Sequence, residues 1–198
     1  MKKLDREKNN LVWLVPAPAN NTWTIAVRRN LADAHSLKTL GDLAHYLASG
    51  GKFKLAASAE FAESPAALPA FQSAYGFKLT QDQLLVLAGG NTAATIRAAA
   101  EQNSGVNAAM AYGTDGALAE LDLVVLADTK GAQIVYQPAA VVRGVVLEQH
   151  PQIRGVLEPV FAGLSLETLQ ALNAEIAVEG QDPESVARTY LRERDSLK

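Results

Sequence analysis

The stretch PAPANNTWTIAVRRN (residues 16–30) marks the corner at which a polar loop becomes the first strand of an alternating α/β pattern. Its second half contains TIAVR (residues 24–28), which is rich in β-branched residues and predicts a β-strand. Its first half sets Trp23 directly after the polar residues Asn-Asn-Thr, although burial of a large indole stabilises a folded protein. Two questions arise at this corner: which fold begins here, and what the indole does in it.

Predicted helices and strands alternate from residue 24 to residue 112. Each predicted helix begins with a residue type that caps helix N-termini. The helices are TLGDLAHYLASGG (39–51), with Thr39 as N-cap and Asp42 at the capping-box position, SPAALPAFQSAYG (64–76), with Ser64 as N-cap and Pro65 at the first helical position, and NTAATIRAAAEQ (91–102), opened by Asn91. The further strands are KFKLAAS (52–58), DQLLVLAGG (82–90) and GVNAAMAYG (105–113). This alternation predicts an α/β fold with a mainly parallel sheet and helices on both faces.

The alternation ends after Gly113. LDLVVLAD (121–128) and AQIVYQPAAVV (132–142) are predicted strands with no helix between them, and residues 11–15, LVWLV, are a third candidate strand. Helices follow: RGVVLEQHP (143–151), IRGVLEPVFAGL (153–164), SLETLQALNAEIAVEG (165–180) and DPESVARTYLRERDS (182–196), with Ser165 and Asp182 as N-caps of the last two. We therefore expect residues 1–23 to be the end of lobe one and the first hinge crossing, residues 24–112 to be a complete α/β lobe, and residues 113–198 to return to lobe one.

Composition excludes several classes of protein. Of the 198 residues, 48% are apolar and 20% are charged, which is typical of a globular chain with a core. The net charge of −3 shows no basic excess, so we expect no nucleic-acid partner. Without cysteine there is no disulfide scaffold and no thiolate metal site. No apolar run approaches the roughly 18 residues of a membrane span. MKKLDREKNNLVWLV (1–15) lacks a signal-peptide pattern, so we expect either a cytosolic protein or a chain without its natural N-terminus.

No motif supports catalysis. His35, His45 and His150 are scattered without metal-ligand spacing, and the sequence contains no P-loop, no G-x-G-x-x-G and no G-x-S-x-G. AGGNT (88–92) opens a predicted helix whose free N–H groups suit an anion, but an ordinary helix start explains it as well. We expect no enzyme, no metal and no cofactor.

Three aromatic residues are the candidate binding residues. Trp23 lies where the chain enters the predicted lobe and Tyr112 where it leaves, so we expect the two to be close in space. Tyr136 lies in the predicted strand that follows and is expected to face the same cleft. Aromatic faces attract cations that accept no hydrogen bond, such as quaternary ammonium groups. From their spacing alone, packing at a hinge is the better explanation of Trp23 and Tyr112.

Polar residues stand beside these aromatics. Asn21 precedes Trp23 by two positions, and Thr114 and Asp115 follow Tyr112 closely. They are candidates for orienting a ligand by hydrogen bonds. Asn, Gly and Asp are also common turn residues, which leaves a structural explanation open.

Five stretches resemble one known family. They are WLVPAPANNTWTIAVR (13–28), KLAASAEFAESPAALPAFQSAYGFKL (54–79), AAMAYGTDG (108–116), YQPAAVVR (136–143) and LNAEIAVEGQDPESVA (172–187). In this order they are similar to the substrate-binding proteins of ABC importers for osmoprotectants, the glycine betaine/carnitine/choline type, and most of all to an enterobacterial and Brucella-type branch. The resemblance covers nearly the whole chain.

The resemblance implies a type II periplasmic-binding-protein fold, here with one complete βαβ lobe and a partial second lobe. It implies a quaternary-ammonium osmoprotectant held in an aromatic cage between the lobes, with Trp23, Tyr112 and Tyr136 at cage positions and Asn21 beside them. It also implies an ABC transporter permease as partner and, for the intact family member, a periplasmic location.

The sequence departs from the family pattern in two places. The family begins with a signal peptide and a βαβ segment of lobe one, with a further cage aromatic, and this chain starts after them. An incomplete lobe one predicts a chain that forms a homodimer, exchanges segments or aggregates. Within ESPAALP (63–69), Ser64 and Ala66 stand where the family commonly has an arginine and an aspartate, which favours a ligand without a carboxylate, or weak binding.

Three other functions remain open from the sequence. An effector-sensing domain of a LysR-type transcription regulator shares the fold, although no helix-turn-helix segment is present. An enzyme on the same fold would need an acid, base or nucleophile cluster, and none is visible. A shortened chain that has lost ligand binding is the third alternative.

Overall fold

A five-stranded sheet is the main feature of this computed structural model, which describes residues 2–194. Two adjacent strands of that sheet, Leu55–Ser58 and Ala108–Tyr112, are buried along almost their whole length. The strands of the protein are β1 (Leu11–Trp13), β2 (Trp23–Arg28), β3 (Leu55–Ser58), β4 (Leu84–Leu87), β5 (Ala108–Tyr112), β6 (Leu123–Val125) and β7 (Val141–Arg143). The α-helices are α1 (Lys2–Asn9), α2 (Arg29–His35), α3 (Leu40–Ala48), α4 (Ala59–Glu63), α5 (Leu68–Tyr75), α6 (Thr92–Ala100), α7 (Ala117–Glu120), α8 (Gly144–Gln149), α9 (Ile153–Ala162), α10 (Leu166–Ala177) and α11 (Pro183–Glu193).

The described chain forms two compact units. Unit 1 comprises residues 2–21 and 136–194, and unit 2 comprises residues 22–135. The chain therefore passes from unit 1 to unit 2 after Asn21 and returns after Val135. The predicted return after residue 112 is wrong, because β6 pairs with β2 inside the sheet of unit 2 and keeps residues 113–135 in that unit.

Unit 2 is built around a sheet with the strand order β4-β3-β5-β2-β6. β3 pairs in parallel with β4 and β5, as the βαβ alternation predicts, and β2 is antiparallel to both of its neighbours. The sheet is therefore mixed rather than mainly parallel. Successive residues of a strand face opposite sides, and here the two sides differ in size. Ile25, Val27 and Leu55 lie on the side that packs against Phe61 and Phe71, whereas Ala26, Ala56 and Ala109 meet Ile96 and the alanines of α6.

Unit 1 contains a two-stranded antiparallel sheet, in which Leu11 pairs with Arg143 and Trp13 with Val141. The predicted strand at residues 11–15 is thus confirmed for β1. Val12, Leu14 and Leu147 form its small buried core. None of the described helices is long and apolar enough to cross a membrane.

The helix starts with strong capping signals are confirmed. The Thr39 side chain accepts from the Asp42 N–H while the Asp42 carboxylate accepts from the Thr39 N–H, so the predicted capping box of α3 is present. Asn91, Ser165 and Asp182 cap α6, α10 and α11 with their side chains. The predicted end of the last helix, residues 195–196, lies outside the described part of the chain.

Ser64 and Pro65 do not begin a helix, contrary to the prediction. Ser58 caps the short helix α4 instead, and Ser64 ends that helix, with its N–H donated to the Glu60 carbonyl at 2.9 Å. The Ser64 carbonyl accepts from the Ala67 N–H at 2.9 Å, so Pro65 and Ala66 form a single turn that does not continue as a helix. α5 begins only at Leu68, with Pro69 in its first turn.

Most of the predicted strand at residues 132–142 is irregular, and only β7 is regular. Residues 14–21 donate backbone hydrogen bonds to this irregular segment. The N–H groups of Leu14, Ala17 and Asn21 are bonded to the carbonyls of Ala140, Pro138 and Tyr136, respectively. Proline has no N–H, so Pro138 cannot donate a hydrogen bond back to residues 14–21.

We expect Thr39→Ala to lower the free energy of unfolding by about 1 kcal/mol, because it removes the side chain that closes the capping box of α3. Urea unfolding followed by circular dichroism measures this change. Ser73→Ala, at an exposed position of α5, is the control and should change stability by no more than a few tenths of a kcal/mol. Equal stability of the two variants would contradict the role of the box.

Candidate ligand-binding site

One edge of the unit 2 sheet collects the candidate residues. The parallel strands β3, β4 and β5 end there, and β2 begins there because it runs in the opposite direction. Trp23, the first residue of β2, consequently pairs with Tyr112, the last residue of β5. Ligands of open α/β sheets bind outside the carboxyl ends of the strands, so this edge is the candidate site.

Trp23 and Tyr112 form an aromatic pair, so the predicted proximity of these two residues is confirmed. Their ring centroids lie 6.3 Å apart and the ring planes differ by 20°, which is a stacked arrangement. The reason for the proximity differs from the prediction, because pairing within one sheet brings them together and the chain does not leave unit 2 at Tyr112. Both residues are partly exposed. At this centroid separation one cation can lie within about 6 Å of both rings, the range in which a ring attracts a cation.

Phe61 fixes the orientation of the indole. Its ring meets Trp23 edge to face, with a centroid distance of 5.8 Å and an interplanar angle of 89°, and Phe61 itself is fully buried. The Trp23 Nε1 atom is buried and has no hydrogen-bond partner among the described residues. The polar end of the indole therefore faces the protein, and what Trp23 offers a ligand is the π surface of its ring.

Sequence reasoning did not single out Phe61. Its backbone N–H is bonded to the Ser58 side chain at 3.1 Å, in the first turn of α4 directly after β3. The local signal was the serine that ends a buried strand and caps a helix, since this places the third residue of that helix at the carboxyl edge of the sheet.

Asp115 closes the turn that follows Tyr112. Its carboxylate accepts from the Tyr112 N–H at 2.7 Å, and its own N–H is donated to the Tyr112 carbonyl at 3.0 Å. Burial raises the pKa of Asp115 above its usual value, although bonds from the Tyr112 amide and the Thr92 side chain act in the opposite direction. The contacts given by the structure thus hold the backbone of Tyr112, and a direct contact of Asp115 with a ligand stays a prediction.

The other three predicted site residues, Thr114, Asn21 and Tyr136, differ in their exposure and in the unit to which they belong. Thr114 is only 6% exposed in this arrangement. Tyr136 belongs to unit 1, lies in an irregular segment rather than a strand, and has a side chain that is 59% exposed. Its N–H is donated to the Asn20 side chain at 2.7 Å, and its carbonyl accepts from the Asn21 N–H at 2.9 Å. Ligand roles for Thr114, Asn21 and Tyr136 stay predictions.

Two loops near the carboxyl ends of the strands provide no cationic side chain. Residues 63–66, from the last residue of α4 into the loop before α5, are Glu63, Ser64, Pro65 and Ala66, and residues 88–91 precede α6. The Asn91 side chain already accepts from the Ala93 N–H at 2.9 Å, which satisfies one free donor of that helix start. The described residues contain no group of three or more acidic or histidine side chains that suits a metal ion. Cation–π attraction is therefore the chemistry that this edge offers most clearly.

We expect Asp115→Asn to stabilise the protein at neutral pH, because an amide oxygen still accepts from Tyr112 without the cost of a buried charge. Since the folded-state pKa of Asp115 is raised, the wild type loses stability as the pH rises from about 3.8 through that higher pKa. The gain from Asn should therefore shrink as the pH falls below this window. Unfolding free energies at several pH values measure it, and a variant less stable than wild type at pH 7 would show that the carboxylate is favourable.

Comparison with known proteins identifies the family. Residues 1–193 match the OpuAC family, described as the substrate binding domain of the ABC-type glycine betaine transport system. The chain is 62% identical over its whole length to the glycine betaine-binding protein YehZ of Escherichia coli and 33% identical to a glycine-betaine-binding protein of Pseudomonas aeruginosa. It spans less than two thirds of either relative, 65% and 63% of their lengths.

The solved structure of apo YehZ from Escherichia coli has the same fold. It superposes with a TM-score of 0.92 over 99% of this chain and 70% of its own, at 62% identity. The predicted type II periplasmic-binding-protein fold and the predicted family are thus confirmed. The chain belongs to the OpuAC family of substrate-binding domains of ABC-type glycine betaine transport systems.

Proposed function

We propose that this protein is the solute-binding component of an ABC importer and binds a small quaternary-ammonium osmoprotectant of the glycine betaine, choline or carnitine type. The observation that carries the proposal is the stacked pair of Trp23 and Tyr112 at the carboxyl edge of the sheet. Family membership and the names of the relatives support the same class of ligand. The proposal includes a transporter permease as partner and the periplasm as location.

The ligand contacts follow from the chemistry of the residues. Trp23 and Tyr112 would attract the positive head group by cation–π interaction, with about 0.5–2 kcal/mol from each ring, depending on how far water is excluded. Tyr136 is proposed as a further aromatic contact from unit 1, and Asn21, Thr114 and Asp115 as polar contacts. The loop at residues 63–66 lacks a cationic side chain for a ligand carboxylate, so choline should bind at least as well as glycine betaine.

We expect Trp23→Ala to weaken binding of choline and glycine betaine about two- to thirty-fold, because it removes one aromatic wall. Trp23→Phe should fall between wild type and Trp23→Ala, since a phenyl ring keeps a smaller π surface. Isothermal titration calorimetry measures the dissociation constants. Trp13→Phe is the matched control, because Trp13 lies in unit 1 and donates its indole N–H to Asp5 at 2.8 Å. Unchanged affinity in Trp23→Ala, or no binding by wild type at millimolar ligand, would refute the proposed site.

Self-association is part of the same proposal. β1 and β7 each have one neighbouring strand among the described residues, and Val15, Val141 and Val145 are exposed. Open strand edges beside apolar side chains favour pairing between chains. We expect light scattering after gel filtration to give a mass above that of the 21.0 kDa monomer, and a sharp monomer peak over a range of concentrations would contradict it.

A further inference from the structure

The last segment of unit 2, residues 128–135, is held by side chains rather than by strand pairing. It follows β6, contains no regular secondary structure and ends where the chain enters unit 1. We call it the return segment. Long irregular stretches usually move more than the elements that they connect, but hydrogen bonds from side chains restrain this one.

Asp128 is the centre of these bonds. Its carboxylate accepts from the Tyr75 hydroxyl at 2.6 Å with one oxygen and from the Gln133 N–H at 2.9 Å with the other. Burial alone would raise the pKa of Asp128, but hydrogen bonds from Tyr75 and from the amides of Ala132, Gln133 and Lys130 hold that pKa below its usual value. The carboxylate is therefore ionised at neutral pH and accepts at both oxygens.

Tyr75 joins the return segment to α5. Its ring is buried, and its hydroxyl donates to Asp128 and accepts from the Lys130 N–H at 2.7 Å. The Lys130 ammonium lies 5.0 Å from the centroid of the same ring and donates to the Ala74 carbonyl at 2.6 Å. The end of α5 thus holds the return segment by bonds to the Tyr75 hydroxyl and to the Ala74 carbonyl.

Gln133 extends this anchorage to the loop at residues 63–66. Its side-chain Nε2 donates to the Ala66 carbonyl at 2.8 Å, while its backbone N–H is held by Asp128. That loop follows α4, which supplies the Phe61 ring against Trp23. One residue of the return segment is therefore bonded to a loop at the candidate site.

The next residue connects the return segment to Trp23 itself. The Ile134 carbonyl accepts from the Thr22 hydroxyl at 2.8 Å, and Thr22 directly precedes Trp23. The Thr22 carbonyl in turn accepts from the Gly113 N–H at 3.0 Å, next to Tyr112. A continuous path of hydrogen bonds and peptide bonds thus runs from Tyr75 and Asp128 to the backbone of both aromatic residues.

The geometry points to Asp128 and Tyr75 as positioning residues for the aromatic pair: they hold the return segment, which holds Thr22 and so sets the placement of Trp23 and Tyr112. This inference rests on the proposed function, because it treats the pair as the ligand site. Neither residue forms part of the aromatic pair, and their effect on affinity is indirect.

The test uses Tyr75→Phe, which keeps the ring and removes the hydroxyl that bonds to Asp128 and Lys130. The dissociation constants for choline and glycine betaine should rise about two- to thirty-fold, the usual range for residues that act on a site through others. Asp128→Asn, which keeps acceptor capacity at one oxygen only, should give a smaller rise. Tyr46→Phe is the matched control, because the Tyr46 hydroxyl donates to the Lys52 carbonyl, at 3.0 Å, and not to a residue of the described return segment.

A second readout needs no ligand and separates positioning from general destabilisation. In a Trp13→Phe background the remaining tryptophan is Trp23, and acrylamide quenching reports how well its ring is held. Quenching should increase in Tyr75→Phe and stay unchanged in Tyr46→Phe, at a temperature where both variants are folded.

Each outcome decides the inference. If wild type binds ligand and Tyr75→Phe binds as tightly as Tyr46→Phe, positioning by Tyr75 is wrong. If wild type binds neither ligand, the proposed function fails, and quenching alone then decides: greater quenching of Trp23 in Tyr75→Phe supports the positioning role, and equal quenching in both tyrosine variants overturns it.

Discussion

The antiparallel pairing of β2 with β5 is the constraint on which the rest of unit 2 depends. Five residue pairs, from Trp23 with Tyr112 to Val27 with Ala108, fix the register, and most of these residues are buried. A one-residue slip would exchange Ile25 and Val27 with Ala26 between the two sides of the sheet, which the unequal packing of those sides does not allow. The same register sets an indole beside a phenol at the edge where the parallel strands end.

The core and the candidate site share residues. The side of the sheet that carries large side chains contains Phe61, and Phe61 is also the ring that meets Trp23 edge to face. The alanine-lined side lets α6 lie close to the sheet, and there the Thr95 hydroxyl donates to the Met110 carbonyl at 2.6 Å, two residues before Tyr112. Both sides of the sheet therefore pack against the strands that carry the aromatic pair.

Local signals in the sequence predicted local structure well. Thr39 with Asp42, Asn91, Ser165 and Asp182 are caps whose hydrogen bonds lie within one helical turn, and the sequence contains everything that these bonds need. Ser64 shows the limit of such reasoning. Ser58, six residues earlier, has the same capping chemistry, and it is Ser58 that caps α4, whereas Ser64 ends that helix.

Long-range features were not predictable in this way. The direction of β2 and the membership of β6 depend on which strands pair, and a strand's own residues do not determine its partner. Tyr112 was placed beside Trp23 on a wrong assumption about where the chain leaves the lobe. Phe61 could not be told from an ordinary core aromatic, because its contact with Trp23 joins two segments that are distant in the sequence. The hydrogen bond between Tyr75 and Asp128 joins residues 53 positions apart and leaves no local pattern.

The one-directional hydrogen bonding of residues 14–21 with residues 136–140 has a consequence for association. An extended segment with free N–H and C=O groups is a template to which a strand of another molecule can add, which is how many β-rich aggregates grow. Pro16, Pro18 and Pro138 have no N–H, so a strand of another molecule that meets these segments finds an incomplete row of donors. Residues 14–21 and 136–140 can thus lie outside a regular sheet and still be a poor template for amyloid-like growth.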